Sequence, residues 1–150
     1  MVKAKKLLLL LAVCLIACAG TACFDKNNIK QYVQHYDYGG SVMKYVQGLD
    51  EYESIEYESV VNKPAVSIGP SEPLYRGVIV LKDDIAEAVW NKYEWEQADP
   101  EFEFVKIDSE ILNNSTWYYS EEFEKDTIRY QKDEYIYFNG SEVVFCFRAD

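Results

Sequence analysis

Three kinds of side chain in this chain could carry chemistry: four thiols, one imidazole and 26 carboxylates. The thiols are too sparse for a disulfide framework. His35 is the only histidine, so a multi-histidine metal centre is excluded, and any Ser-His-Asp or Cys-His relay would have to run through it. The acids gather at Asp50, Glu51, Glu53, Glu56 and Glu58, and again at Asp99, Glu101 and Glu103. Two carboxyls about 5.5 or roughly 6.5–9.5 Å apart across a cleft could hydrolyse a glycoside. Alternation along an extended segment instead puts Glu101 and Glu103 on one side, away from Phe102 and Phe104, as on a solvated face. The chain has no Gly-x-Ser-x-Gly elbow, phosphate-binding glycine loop, EF-hand ligand series or Cys-x-x-Cys, so neither a cofactor nor a metal is expected.

Aromatic side chains offer a second kind of chemistry. There are 13 tyrosines and 3 tryptophans, many beside acids, and rings next to carboxylates can stack on sugar faces or grip cationic peptides. Trp90, Trp95, Trp117, Tyr118 and Tyr119 are the first candidates for such contacts. The same rings at helix or strand spacing equally fit core packing.

The N-terminus sets three lysines, Lys3, Lys5 and Lys6, ahead of an uncharged apolar run over residues 7–17, and the first acid is Asp25. That is the order of a secretory signal. Eleven apolar residues fall short of the ~20 needed to cross ~30 Å of hydrocarbon. Leu15-Ile16-Ala17-Cys18 resembles the lipobox of bacterial lipoproteins, with an aliphatic residue three before the cysteine and a small one directly before it. The resemblance covers only the first eighteen residues. It implies cleavage before Cys18, a diacylglyceryl thioether on Cys18, and a chain tethered to the cell membrane on its extracytoplasmic side. Gly20-Thr21-Ala22-Cys23 has glycine where an aliphatic residue belongs, so Cys23 matches less well. Cleavage after Ala19 and an uncleaved anchor are the remaining readings. All four leave the body beyond the membrane, because the lysines stay on the cytoplasmic side. Two or more acyl chains, each buried CH₂ contributing ~0.8 kcal/mol, hold such a chain stably.

Without residues 1–17 the formal charge moves from −11 to −14, with 12 basic against 26 acidic side chains. Such a surface repels phosphate backbones and anionic headgroups, which argues against a nucleic-acid partner and against peripheral adhesion to a membrane, and it attracts cationic proteins or peptides. Acidity also keeps an exported protein soluble. With Cys18 lipidated, Cys23 and Cys146 are the thiols that could pair outside the cell.

Residues 18–27 read as a tether and 28–150 as one domain, long enough for a real core. A capping pattern at Asn28 with Ile29, Tyr32, Val33 and Tyr36 on one side predicts a helix ending at Gly39-Gly40, and residues 42–47 a second short one. Residues 52–61 are strand-like with charges on both faces, which predicts an edge or half-solvated strand. The apolar run Gly77-Val78-Ile79-Val80-Leu81 predicts a strand buried on both faces. Asp84 as cap opens a helix whose Ile85, Ala88, Val89 and Tyr93 should meet the sheet. Residues 102–107 read as a strand, and Asn113-Asn114-Ser115 as a turn. Asn139-Gly140 predicts a two-residue hairpin, with Ile136, Phe138, Val143, Phe145 and Phe147 on its core face. The expected class is α+β: an antiparallel-rich sheet, short helices on one face and a C-terminal β-hairpin.

The expectation for function is a lipid-anchored binding or interaction module of the bacterial cell envelope that captures a basic protein or peptide. The alternative is an anchored, carboxylate-dependent hydrolase of the glycosidase type.

Overall fold

The computed structural model describes residues 29–64, 72–128 and 132–149. The signal segment, the tether, Cys18 and Cys23 lie outside the described residues, and so does the proposed partner of Cys146. Among the described residues, no helix is long and apolar enough to cross a membrane.

The fold is α+β, built on one seven-stranded antiparallel sheet in the order β1-β2-β3-β7-β6-β5-β4. The strands are β1 (Ile29–Tyr36), β2 (Tyr52–Pro64), β3 (Leu74–Leu81), β4 (Glu96–Gln97), β5 (Tyr118–Tyr119), β6 (Lys132–Phe138) and β7 (Glu142–Arg148). Three helices interrupt them: α1 (Asp83–Lys92), α2 (Glu110–Asn113) and α3 (Glu121–Thr127). As its apolar run requires, β3 lies inside the sheet between β2 and β7, with Val78 and Ile79 buried in two different clusters. At Gly77 an added Cβ would meet the Glu56 carbonyl oxygen at 2.5 Å and Tyr57 Cβ at 2.6 Å, so only glycine lets β2 and β3 approach this closely.

Each face of the sheet carries a core. On the first, Ile55, Tyr57, Ile79, Leu81, Ile136, Phe138, Val143, Phe145 and Phe147 meet Ala86 and Val89 of α1, Phe123 of α3, and Val42, Val46 and Leu49 of the segment after β1. On the second, Val78, Tyr137 and Val144 meet Phe104, Ile107 and Trp117. Ile111 and Leu112 of α2 pack on this second cluster, so the helices are not confined to one face.

Several local expectations are corrected. Residues 29–36 form no helix; Ile29, Val33 and the tyrosines instead make β1, which pairs along its length with β2. Pairing on both sides in turn makes β2 an interior strand, not an edge. The helix expected at residues 42–47 is a single 3₁₀ turn, Val42–Lys44. Helix α1 starts two residues earlier than expected: Lys82 occupies the cap without a side-chain bond, and Asp83 and Asp84 sit in the first turn at the positive end of the dipole. Ala86 is buried there and Ala88 exposed. Residues 102–107 form no strand, because Phe104 and Ile107 are used to plug the second face. Asn113 ends α2 where a turn was expected.

The C-terminal hairpin forms with the expected core face and a register moved by two residues, pairing Phe138 with Val143 and Ile136 with Phe145. The Asn139 side chain causes the shift. Its Oδ1 accepts from the backbone N–H of Ser141 (3.0 Å) and Glu142 (2.7 Å), making Asn139 the first residue of the turn. Gly140 then takes the first central position at φ 101°. A shift of two preserves the alternation, and the same side chains stay inside.

Candidate functional site

At the end of the sheet formed by β4, β5 and β6, two open hollows share Tyr119. The first, about 820 Å³, holds Glu94, Glu96, Glu121 and Glu122 around Trp95, with Lys125 at its side. The second, about 560 Å³, holds Asp99, Glu101, Glu124 and Glu134 around Tyr119, Tyr135 and Tyr137. Among the described residues, eight carboxylates thus face the two hollows against one lysine, and Lys125 is itself paired with Glu121 one helical turn away.

Local sequence positions these groups. The Oγ of Ser120 caps α3 by accepting from the Phe123 N–H at 3.4 Å, and Phe123 and Thr127 are buried. Burying that stripe turns Glu121 and Glu122 outward, at the helix end whose dipole favours negative charge. Trp95 donates its indole N–H to the Trp90 carbonyl at 3.0 Å and contacts Phe123 at 5.2 Å and Phe138 at 5.3 Å between ring centroids. Trp90 stacks on Trp95 at 5.9 Å and meets Tyr118 edge-on at 5.0 Å. A fixed aromatic wall therefore borders the acids.

Electrostatics in the second hollow are strained. Tyr119 donates its hydroxyl hydrogen to Glu124 Oε1 at 3.2 Å. Burial, reinforced by the neighbouring Glu124 charge, pushes the Tyr119 phenol up to about 12. Burial, followed by the Glu101 charge, does the same to Tyr137, up to about 12. Burial holds the Glu124 carboxyl above its usual value, and the Glu134 charge adds to this against the bond from Tyr119. The Glu134 carboxyl is raised by burial as well, and its Oε2 is withdrawn from water with no hydrogen-bond partner among the described residues.

A raised carboxyl makes the folded state the tighter proton binder, so the Glu134 contribution to stability falls as pH climbs from the ordinary carboxylate value of 4.5 through the higher folded-state value. Glu134→Gln removes the buried charge. The variant should exceed the parent in stability by about 1 kcal/mol at pH 7, a low figure because much of the side chain still reaches water. Urea unfolding at pH 7 and near pH 4 checks this, and the gain should vanish at the lower pH.

The other candidates are dispersed. His35 lies on β1, at the far edge of the sheet, with Nε2 2.6 Å from Glu56 Oε1. Asp50, Glu51 and Glu53 are exposed, and Glu51 pairs with Lys82 at 3.4 Å. Glu58 is fully buried and structural. Of the second acid group, Asp99 and Glu101 reach the site while Glu103 stays exposed outside it. Among the aromatics, Trp95 and Tyr119 line the hollows, Trp90 stacks on Trp95 and Tyr118 meets Trp90, but Trp117 is core, its indole N–H donated to the Leu112 carbonyl at 3.0 Å. Glu124, Glu134, Tyr135 and Tyr137 were not foreseen. Glu134 sits where the β6–β7 register slips between Lys132 and Tyr135, an irregularity with no sequence signature. Among the described residues, no group of three or more His, Cys, Asp or Glu side chains could hold a metal ion.

No protein-family model, curated protein or solved structure matches the chain.

Proposed function

We propose that this protein is a non-enzymatic binding module of the bacterial cell envelope, held by acyl chains on Cys18 at the extracytoplasmic face of the membrane, whose acidic aromatic groove captures a basic protein or peptide. One observation carries the binding half of this reading: among the described residues, eight carboxylates and a set of packed rings converge on two adjoining hollows whose one lining cation is already paired. Such a surface is rich in acceptors and π faces, and it fits ammonium and guanidinium groups flanked by apolar stems. A bound cation would also supply the partner that Glu134 Oε2 lacks.

Titration with a lysine- and arginine-rich peptide tests it. Association should be fast at low salt and slow steeply as ionic strength rises; a salt-independent rate would count against it. The anchor has its own test in intact mass spectrometry of the membrane-extracted protein. A chain starting at Cys18 with acyl mass is expected, and an unmodified chain starting at Met1 would remove the anchor.

Glu124 and Glu134, two burial-raised carboxyls in one hollow, favour a second reading as an anchored carboxylate-dependent hydrolase. Glu134→Gln separates the two. Hydrolysis of a glycan polymer that disappears in this variant would establish the enzyme, whereas the binder loses only part of its cation affinity.

A further inference from the structure

Two of the stretches of this chain that carry no acid meet in the fold. All 26 lie outside residues 26–36 and 59–71. Within the described residues, these stretches are β1 and the second half of β2, paired so that Lys30 stands opposite Lys63 and Tyr32 opposite Val61. Alternation puts all four on the same side of the two-stranded arm. Both lysines are exposed, Tyr32 is 53% exposed and Ile29, which opens the strand, 60%. Neither lysine has an acid partner among the described residues, although like charges directly opposite each other destabilise a strand pair. Among the described residues, these two lysines thus stand without an acid partner beside an exposed tyrosine and an exposed isoleucine.

The position of the arm identifies what neutralises it. Ile29 is the eleventh residue after Cys18, and eleven residues span at most about 40 Å whatever their conformation. The start of β1, with Lys30 and Lys63 beside it, is therefore the part of the domain held nearest to the lipid. Lysines that extend their stems over apolar surface, together with a tyrosine at headgroup depth, form the residue set of a membrane–water interface.

We propose that the β1–β2 arm, through Lys30, Lys63 and Tyr32, docks on the anionic headgroups of the bilayer that carries the anchor, and so turns the acidic groove at the opposite edge of the sheet away from the membrane. This rests on the anchor reading above. The groove, strongly acidic, would be repelled by the same headgroups, so attraction at one edge and repulsion at the other favour one orientation.

The test uses the full acylated protein in phosphatidylcholine vesicles with and without phosphatidylglycerol, and a membrane-impermeant amine-acetylating reagent read by peptide mass spectrometry. Lys30 and Lys63 should be modified at least about fivefold more slowly on the anionic vesicles, the factor expected per lysine near such a surface. Lys92 and Lys125, with side chains 60% and 68% exposed, serve as internal references and should not change. Tyr32→Ser, at an exposed edge position, should restore part of the lost rate. Equal rates on the two vesicle types overturn the proposal. Protection that instead grows with protein density at fixed lipid charge also overturns it, and would assign the edge to a second copy pairing along β1. Protein that fails to float with either vesicle type would instead reject the anchor, a result read separately from the labelling rates.

Discussion

Replacing Glu58 with alanine should lower the unfolding free energy by roughly 3–5 kcal/mol and the melting temperature by roughly 10–20 °C. Glu58 is fully buried on β2, where its carboxylate accepts from the backbone N–H of Val105 (2.8 and 3.1 Å) and of Lys106 (2.7 Å) and pairs with Arg76 Nε. The Arg76 side chain is only 12% exposed. Truncation strands a guanidinium and two amides away from water, and the loss exceeds anything the pair contributed as an attraction. It also releases the loop that carries Phe104 and Ile107 onto the second face. Denaturant unfolding gives the energy, and hydrogen exchange at the Val105 and Lys106 amides gives the place. Arg76→Ala should cost a comparable amount, and the double variant clearly less than the sum. A loss under about 1 kcal/mol for Glu58→Ala would mean that the carboxylate does not latch this loop.

Neutralising Glu94, Glu96, Glu121 and Glu122 to glutamine together should slow association with a cationic peptide by about 10- to 100-fold at low salt. The four acids are exposed, so the fold tolerates the change; only the helix-end preference and the solvent-screened Lys125 pair of Glu121 are lost. Glu51, Glu53, Glu87 and Glu103 are also exposed but lie outside both hollows, and the same substitution there removes identical net charge. At ~0.1 M salt that control should act only weakly, because charges more than about 10 Å from the ligand are screened; at lower salt the screening length is longer and the control slows association too, so the two variants are compared at ~0.1 M. Stopped-flow association at two ionic strengths decides the matter. Equal slowing in both variants would make steering a property of total charge and remove the groove from the account.

Legibility of the fold tracked how local each signal was. The run from Gly77 to Leu81 placed β3 inside the sheet, since only burial on both faces accommodates so many apolar neighbours. In the hairpin, alternation identified the core face although the pairing moved by two residues. Residues 29–36 misled, because Ile29, Tyr32, Val33 and Tyr36 satisfy a helical spacing as well as a strand, and only the neighbouring β2 chooses between them. Residues 102–107 misled in the opposite direction: a strand-like composition serves equally well as a plug, and Phe104 and Ile107 are buried against the second face without pairing as a strand.

The candidate site divides in the same way. Asp99, Glu101, Trp95 and Tyr119 were identifiable by residue type. Their convergence with Glu124, Glu134 and Tyr137 depends on the return of the chain through β5, α3 and β6, and on a register slip before Tyr135.

By itself the amino-acid sequence determined the excess of acid, the resemblance of residues 15–18 to a lipobox, the absence of a multi-histidine centre and the alternating core face of the last two strands. These are properties of composition and of neighbours a few residues apart, which need no partner to be expressed. Tertiary structure alone decided that Glu58 is buried, that eight acids border one groove, and that Lys30 stands against Lys63. Charge becomes a site only through distances between residues far apart in the chain, and those distances are set by how β-strands pair.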